Sequence, residues 1–371
     1  MPEGFSQRPP LHSFPAGFWR TALFAIFCSV SAVHAAADDG QPRITPDDDR
    51  LHFGSVSIYS ENDKYFAGTD QHYTNGFKLS FLTTDLRNFT GESVPWPVRA
   101  MAQAIGRLTE PDAAYKLNLS IGQNIYTPEL IHTAEFQPHD RPYAAWLYVG
   151  AAYQNYLPER INAAGVWIPP RLDVFEITAG TVGPSARGRE IQNGFHDIID
   201  VPHAEGWTHQ IKNEIGLNLV FERKYRFATA GARDGFGADF IPHAGFSAGN
   251  IFTYANLGFE LRTGWKLPAD FGTNLIRPSG DSNSAARPPW SAFFFGAVDG
   301  RAVARDITLD GNTFRDSPHI AKEPLVADWQ VGLALGTRHF QITYSQAVRT
   351  HEFKGQRKAS VFGSISGTFY Y

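Results

Sequence analysis

From about residue 50 onward the chain alternates. Phe77, Leu79 and Phe81 interleave with Gly76, Lys78 and Ser80, which gives one greasy and one polar face, the period of a β-strand. The pattern returns at Leu117, Leu119 and Ile121 around Asn118 and Ser120, and at Ile215, Leu217, Leu219 and Phe221 around Asn218 and Glu222. It continues through Leu257, Phe259 and Leu261 and through Phe340, Ile342 and Tyr344. A soluble sandwich also alternates, so the period alone leaves two architectures open. Segment length and aromatic placement decide between them. The alternating segments run about 10 to 13 residues, longer than soluble strands and long enough to cross a bilayer at a tilt. Aromatics gather near segment ends, as at Tyr143, Trp146 and Tyr153 or at Trp290, Phe293, Phe294 and Phe295, where interfacial girdles would lie. The expectation is an all-β fold, a transmembrane antiparallel up-and-down β-barrel of about 12 strands.

The strands are expected near residues 51–61, 73–83, 115–124, 143–154, 171–183, 214–226, 238–247, 252–265, 291–303, 325–336, 338–349 and 358–371. The last of these places Val361, Ile365, Phe369 and Tyr371 on one face and ends on an aromatic, as many outer-membrane barrels do when they present a closing strand to the barrel assembly machinery. The connections near 84–114 and 266–290 are long for the inner end of such a barrel.

Upstream of the alternation, Arg20 precedes an apolar run from Thr21 to Val33 that is too short to span a membrane as a helix, with alanines after it. Residues 1–36 are therefore expected to be a cleaved signal peptide, and 37–371 the barrel. The only cysteine, Cys28, falls inside that leader, so the mature chain has no disulfide, zinc thiolate or cysteine nucleophile. A net charge of -4 gives no electrostatic case for binding nucleic acid. Nothing in the sequence sets the oligomeric state.

Two clusters could carry chemistry. The first is Glu61-Asn62-Asp63 at the end of the first strand, followed by Thr69-Asp70 and by Tyr73-Thr74-Asn75-Gly76. Oxygen-bearing side chains in a row can coordinate a hard cation such as calcium or orient an imidazole, although an ordinary Asn/Asp turn uses the same residues. Simple alternation puts Thr74 on the lumen face with Lys78 and Ser80. The second cluster, within an active-site loop of 183–212, switches to helical period with Ile191, Phe195 and Ile198 or Ile199 on one stripe. Gln192 and His196, four residues apart, share another face, so a short helix can lay both against a barrel wall. A neutral His196 can take a proton from water near neutral pH, whereas His203 and His209 are nearby decoys. No GxSxG, HExxH or Walker signature is present.

At these clusters the chain resembles the outer-membrane lipid A 3-O-deacylase family. The matching pieces are Asn62-Asp63, Tyr73-Thr74-x-Gly76, Gln123 through Pro128 with Asp140-Arg141, and Gly183-Pro184, Ile191-Gln192-Asn193, His196, Ile198-Ile199 and Trp207 through Gln210. The resemblance implies a twelve-stranded barrel in a bacterial outer membrane, with the site between the wall and a loop helix. It also implies calcium-dependent hydrolysis of the 3-O-linked acyl ester of lipid A, in lipopolysaccharide set among outer-membrane lipids. Carried over by position, His196 is the base that activates water, Asp63 its acidic partner or a calcium ligand, and Asn62, Thr74 and Gln192 are supporting residues. Glu61 is a second candidate calcium ligand. The chain departs from the family after Pro128, where ELIHTAEFQPH lacks a lysine that some members have, and at Ala204, where a tyrosine can occur. Two other readings stay open: a silent barrel that is a pore or structural protein, and a phospholipase-type lipid esterase.

Overall fold

The computed structural model describes residues 52–65, 72–84, 113–198, 200–273, 276 and 287–371, with isolated positions 96, 99, 100 and 103. The expected leader and most of the connection between residues 84 and 113 lie outside the described residues.

Twelve long strands form the wall. They are β1 (Phe53–Asn62), β2 (His72–Thr83), β3 (Ala114–Thr127), β4 (Ala144–Leu157), β5 (Arg171–Val182), β6 (Glu214–Tyr225), β7 (Phe236–Gly249), β8 (Phe252–Trp265), β9 (Trp290–Asp306), β10 (Leu325–Thr337), β11 (Phe340–Arg349) and β12 (Ser360–Tyr370). Each is antiparallel to its neighbours, and β12 returns to β1 with Ser55 opposite Tyr370 and Asn62 opposite Gly363. Closing the ring pairs every edge, the condition a sheet must meet to sit in hydrocarbon. Three two-residue strands decorate the ring: Phe227–Ala228 on β7, and Arg160–Ile161 with Trp167–Ile168 in the β4–β5 connection. In the connections described in full lie the α-helices α1 (Gly188–Ile198) and α2 (Ile307–Asp310).

The alternation sorts side chains as expected. On the outer face Ile58, Phe77, Ile121, Val149, Leu217 and Leu219 are exposed, while Ser57, Lys78, Ser80, Asn118 and Asn218 are buried in the lumen. An aromatic ladder runs around the outside, Tyr153 to Phe175 to Phe221 to Phe246, each ring 4.9 to 6.3 Å from the next. At the rim that holds the chain ends, Trp265, Trp290, Phe236 and Phe369 are exposed. The girdle expectation fails for Tyr143, Trp146, Phe293 and Phe295. Trp146 lies on the lumen face and joins Tyr73, Tyr126, Tyr148, Ile307 and Phe362 in an apolar cluster beneath the opposite rim. Tyr143 packs under a loop, and Phe293 and Phe295 pack with Leu267 and Ala334.

The described part of the connection after β8, residues 266–273 and 276, folds inward. Asp270 pairs with Arg262, whose guanidinium also bonds Asp239; Phe271 meets Tyr156 at 5.8 Å, and the Ile276 backbone reaches Glu61. That inward course explains why this connection is longer than an inner turn requires.

Candidate active site on the outer wall

The rim away from the chain ends carries the connection of residues 183–213 between β5 and β6. There the outer faces of β3 and β4 present Ile121, Gln123 and Ile125 beside Ala145, Leu147 and Val149. Ile121 and Val149 are exposed, yet Ile125 and Ala145 are buried, because the connection after β5 folds down over them. Trp207, Ala186, Ala204, Ile131 and Tyr143 complete that cluster. Gln123 Nε2 donates to the Ala186 carbonyl at 2.6 Å and pins the loop to the wall.

Two glycines permit this close approach. Gly183 has φ +83°, a left-handed conformation that an L side chain resists. At Gly188, the first residue of α1, a Cβ would lie 2.5 Å from the Trp207 ring and 2.6 Å from the Ala145 Cβ.

α1 turns an unusual face inward. Its buried residues are Gly188, Gln192 and His196, one stripe at four-residue spacing, and the helix contacts β3 and β4. The Trp207 indole N–H donates to Gln192 Oε1 at 2.9 Å, which fixes the amide orientation because that N–H needs an acceptor. Gln192 Nε2 is then a buried donor with no partner. His196 Nδ1 sits 2.7 Å from the Pro202 carbonyl. A carbonyl only accepts, so Nδ1 carries the proton and Nε2 keeps its lone pair. Asn193 clamps the returning chain through Oδ1, which accepts from the Ala204 N–H at 3.0 Å. The decoys stay apart: His203 pairs with Asp197 in an exposed contact, and His209 lies against Phe136.

The first hairpin reaches the same rim and the same outer face. Asn62 shares the outward parity of Ile58 and faces Asn75, which faces Ile125 on β3. Asn62 Oδ1 accepts from the Lys64 N–H at 2.7 Å, and β1 ends there. Asp63 opens the turn, buried, its N–H donating to the Thr74 carbonyl at 3.4 Å. Thr74 departs from the simple alternation. A register shift between Tyr73 and Asn75 makes it the extra residue of a bulge, and its hydroxyl bonds Thr127 at 2.6 Å on the outward parity of β3. It does not point to the lumen.

Glu61 is on the other side of the wall. Its Oε2 accepts from the Tyr73 hydroxyl at 2.7 Å and its Oε1 from the Ile276 N–H at 2.6 Å, so both oxygens are engaged within the lumen, back to back with Asn62. Arg141 is likewise under the rim, bonded to Glu352 at 3.3 Å and Thr308 at 2.9 Å and set over the Tyr126 ring. Sequence reasoning placed Gln123 and Thr127 in a matching segment without giving either a role, and it did not find the Pro202 carbonyl. Their parts in the site come from strand register and chain return, which no residue pattern prints.

The oxygens of Asn62 and Thr74 each have one partner and retain capacity to accept or coordinate. With one carboxylate, Asp63, the set is all oxygen, the donor type a calcium ion prefers. Among the described residues no three His, Cys, Asp or Glu side chains gather into a metal cage.

The sequence profile described as Outer membrane protein LpxR matches residues 22–371. The chain belongs to the LpxR family. This is the lipid A 3-O-deacylase family of the bacterial outer membrane. The structure of LpxR from Salmonella typhimurium superposes with a TM-score of 0.67 at 20% identity, covering 85% of this chain and 100% of that one. That likeness shows the shared LpxR barrel fold. The β domain of the Bordetella autotransporter BrkA aligns at a TM-score of 0.38 and 6% identity over 86% of this chain and 99% of that one. No curated protein sequence matches the chain.

Proposed function

We propose that the protein hydrolyses the 3-O-linked acyl ester of lipid A in the outer membrane, with His196 as general base. The observation that supports this most directly is the tautomer of His196. Its Nδ1–H is held by the Pro202 carbonyl, so Nε2 is a base of fixed direction on the buried face of α1, over the outer wall. A site on the outer wall suits a substrate whose acyl chains lie in the leaflet around the barrel.

In the proposed chemistry Nε2 takes a proton from water as the water oxygen bonds to the ester carbonyl carbon. The carbonyl electrons move to oxygen, and the Gln192 amide N–H, buried without a partner, donates to that oxyanion. Collapse breaks the bond to the sugar oxygen, which takes the proton back from the imidazolium. The products are a sugar hydroxyl and a fatty acid, which then gives up its own proton to solvent water. Asp63 supplies negative charge near the imidazolium, and Asn62 and Thr74 shape the rim beside it. Calcium, when held by Asp63 with the oxygens of Asn62 and Thr74, supplies positive charge for the oxyanion. Glu61 has no part in this set because its oxygens are engaged in the lumen.

The apolar cluster beneath the outer rim weighs against a pore. The test is to incubate purified barrel in micelles with lipid A and then with a phospholipid, with calcium and with chelator. Calcium-dependent release of one hydroxy fatty acid from lipid A supports the reading. Release from the phospholipid alone would replace it with the phospholipase reading.

A further inference from the structure

α1 is amphipathic, and it presents the wrong face inward for a soluble helix. The polar pair Gln192 and His196 is buried, and the Asn193 flank is closed by its bonds to Ala204. The opposite flank carries Ile191 at 50% and Ile198 at 80% exposure, with Phe195 partly covered between them. Three large apolar side chains on one flank of a loop helix would be excluded by water.

Directly below, the wall is already lipid-facing. Gln123 is bonded to Ala186 just ahead of α1, and the next residue down the same face of β3 is Ile121, 46% exposed. Two residues along a strand span roughly 7 Å. Phe77 and Val149 continue the same belt on β2 and β4, at 48% and 58% exposure. The chain just ahead of α1 is therefore anchored one step along β3 from the hydrocarbon-facing surface of the barrel.

We propose that this flank, Ile191, Phe195 and Ile198, is seated in the acyl-chain layer of the outer leaflet, so that α1 forms a membrane-embedded side wall of the cleft. The helix then separates two environments: apolar acyl chains on one side and the imidazole with its polar neighbours on the other. This placement rests on the barrel and the burial pattern, and it holds whether or not His196 is a base.

The experiment uses the full chain with Cys28→Ser, leaving no other cysteine. Single Ile198→Cys, Leu219→Cys and Glu190→Cys variants are labelled with an environment-sensitive fluorophore and reconstituted in phosphatidylcholine vesicles. Leu219 is a lipid-facing control on β6 and Glu190 an exposed control on α1. Retained heat-modifiable mobility on gels shows that each barrel is folded. The Ile198 probe is expected to emit blue-shifted light and to be quenched by nitroxide-labelled lipids as the Leu219 probe is. An Ile198 probe that emits like the Glu190 probe and is quenched by aqueous iodide overturns the proposal. So does an Ile198 probe shielded from both quenchers that opens on dilution of the protein, because a second copy would then be the occupant.

Discussion

The His196 ring lies 2.7 Å from the Pro202 carbonyl through Nδ1. The bond spans six residues and closes the chain return at the end of α1, so it orients the imidazole and secures the loop. His196→Ala is expected to lower deacylation by about 100- to 10,000-fold, the usual contribution of a general base, with the barrel still folded. Quantifying fatty acid release by purified variant and wild type checks this. Near-wild-type turnover in His196→Ala would remove it from the chemistry.

Gln192 has two separable duties. Its oxygen accepts from Trp207 and its nitrogen is an unpartnered buried donor. Gln192→Glu keeps the acceptor and removes the donor. If the nitrogen serves the oxyanion, kcat falls about 100-fold or more while KM changes little. A rise in KM alone would show that Gln192 only holds the loop.

Gly188→Ala places a methyl group 2.5 Å from Trp207 and 2.6 Å from Ala145. Relieving that overlap lifts α1 from the wall at a cost of about 1 to 3 kcal/mol. The loop carries little of the barrel's strand pairing, so activity is expected to fall far more than the barrel's unfolding temperature. Equal losses of both would mean that the loop and barrel unfold together.

Glu352, in the connection before β12, sets a pH dependence. Burial pushes its carboxyl upward, but the guanidiniums of Arg349, Arg141 and Arg301 outweigh burial and hold it below the ordinary range. A carboxyl lowered by folding contributes stability above its unfolded pKa, and that contribution fades as pH falls through the lower folded value. The difference in unfolding temperature between wild type and Glu352→Gln is therefore expected to be full at neutral pH and to shrink as pH falls below the ordinary carboxylate value. A difference that stays constant from neutral pH down to well below that value contradicts the ionic role.

Tyr73→Phe removes one of the donors to buried Glu61, which also accepts from the Ile276 N–H and Ser364. Losing that bond to a buried carboxyl costs about 1 to 3 kcal/mol, and the unfolding temperature measures it.

The wall was legible in the sequence because lipid and lumen impose one residue period along each strand. Phe252–Trp265 falls where Leu257, Phe259 and Leu261 indicate, and β7, expected at 238–247, extends by two residues at each end to Phe236–Gly249. The helix stripe of Gln192 and His196 was legible by the same reasoning. What was not legible depends on contacts between distant segments. The bulge at Thr74 follows from the pairing of β2 with β3, and period two carries no sign of it. Glu61 and Asn62 are adjacent in the chain yet serve opposite faces, and the engagement of Glu61 comes partly from Ile276, 215 positions away. Trp146 has the composition of a girdle residue, and only strand parity sends it inward.

The central claim is tested most directly by mass spectrometry of lipid A from cells that express wild type, His196→Ala or Asp63→Ala, with each barrel shown to be folded in the outer membrane. The account predicts that wild type removes one hydroxyacyl group and that both variants leave lipid A intact. Unchanged lipid A with folded wild type, or removal that persists in His196→Ala, would contradict it.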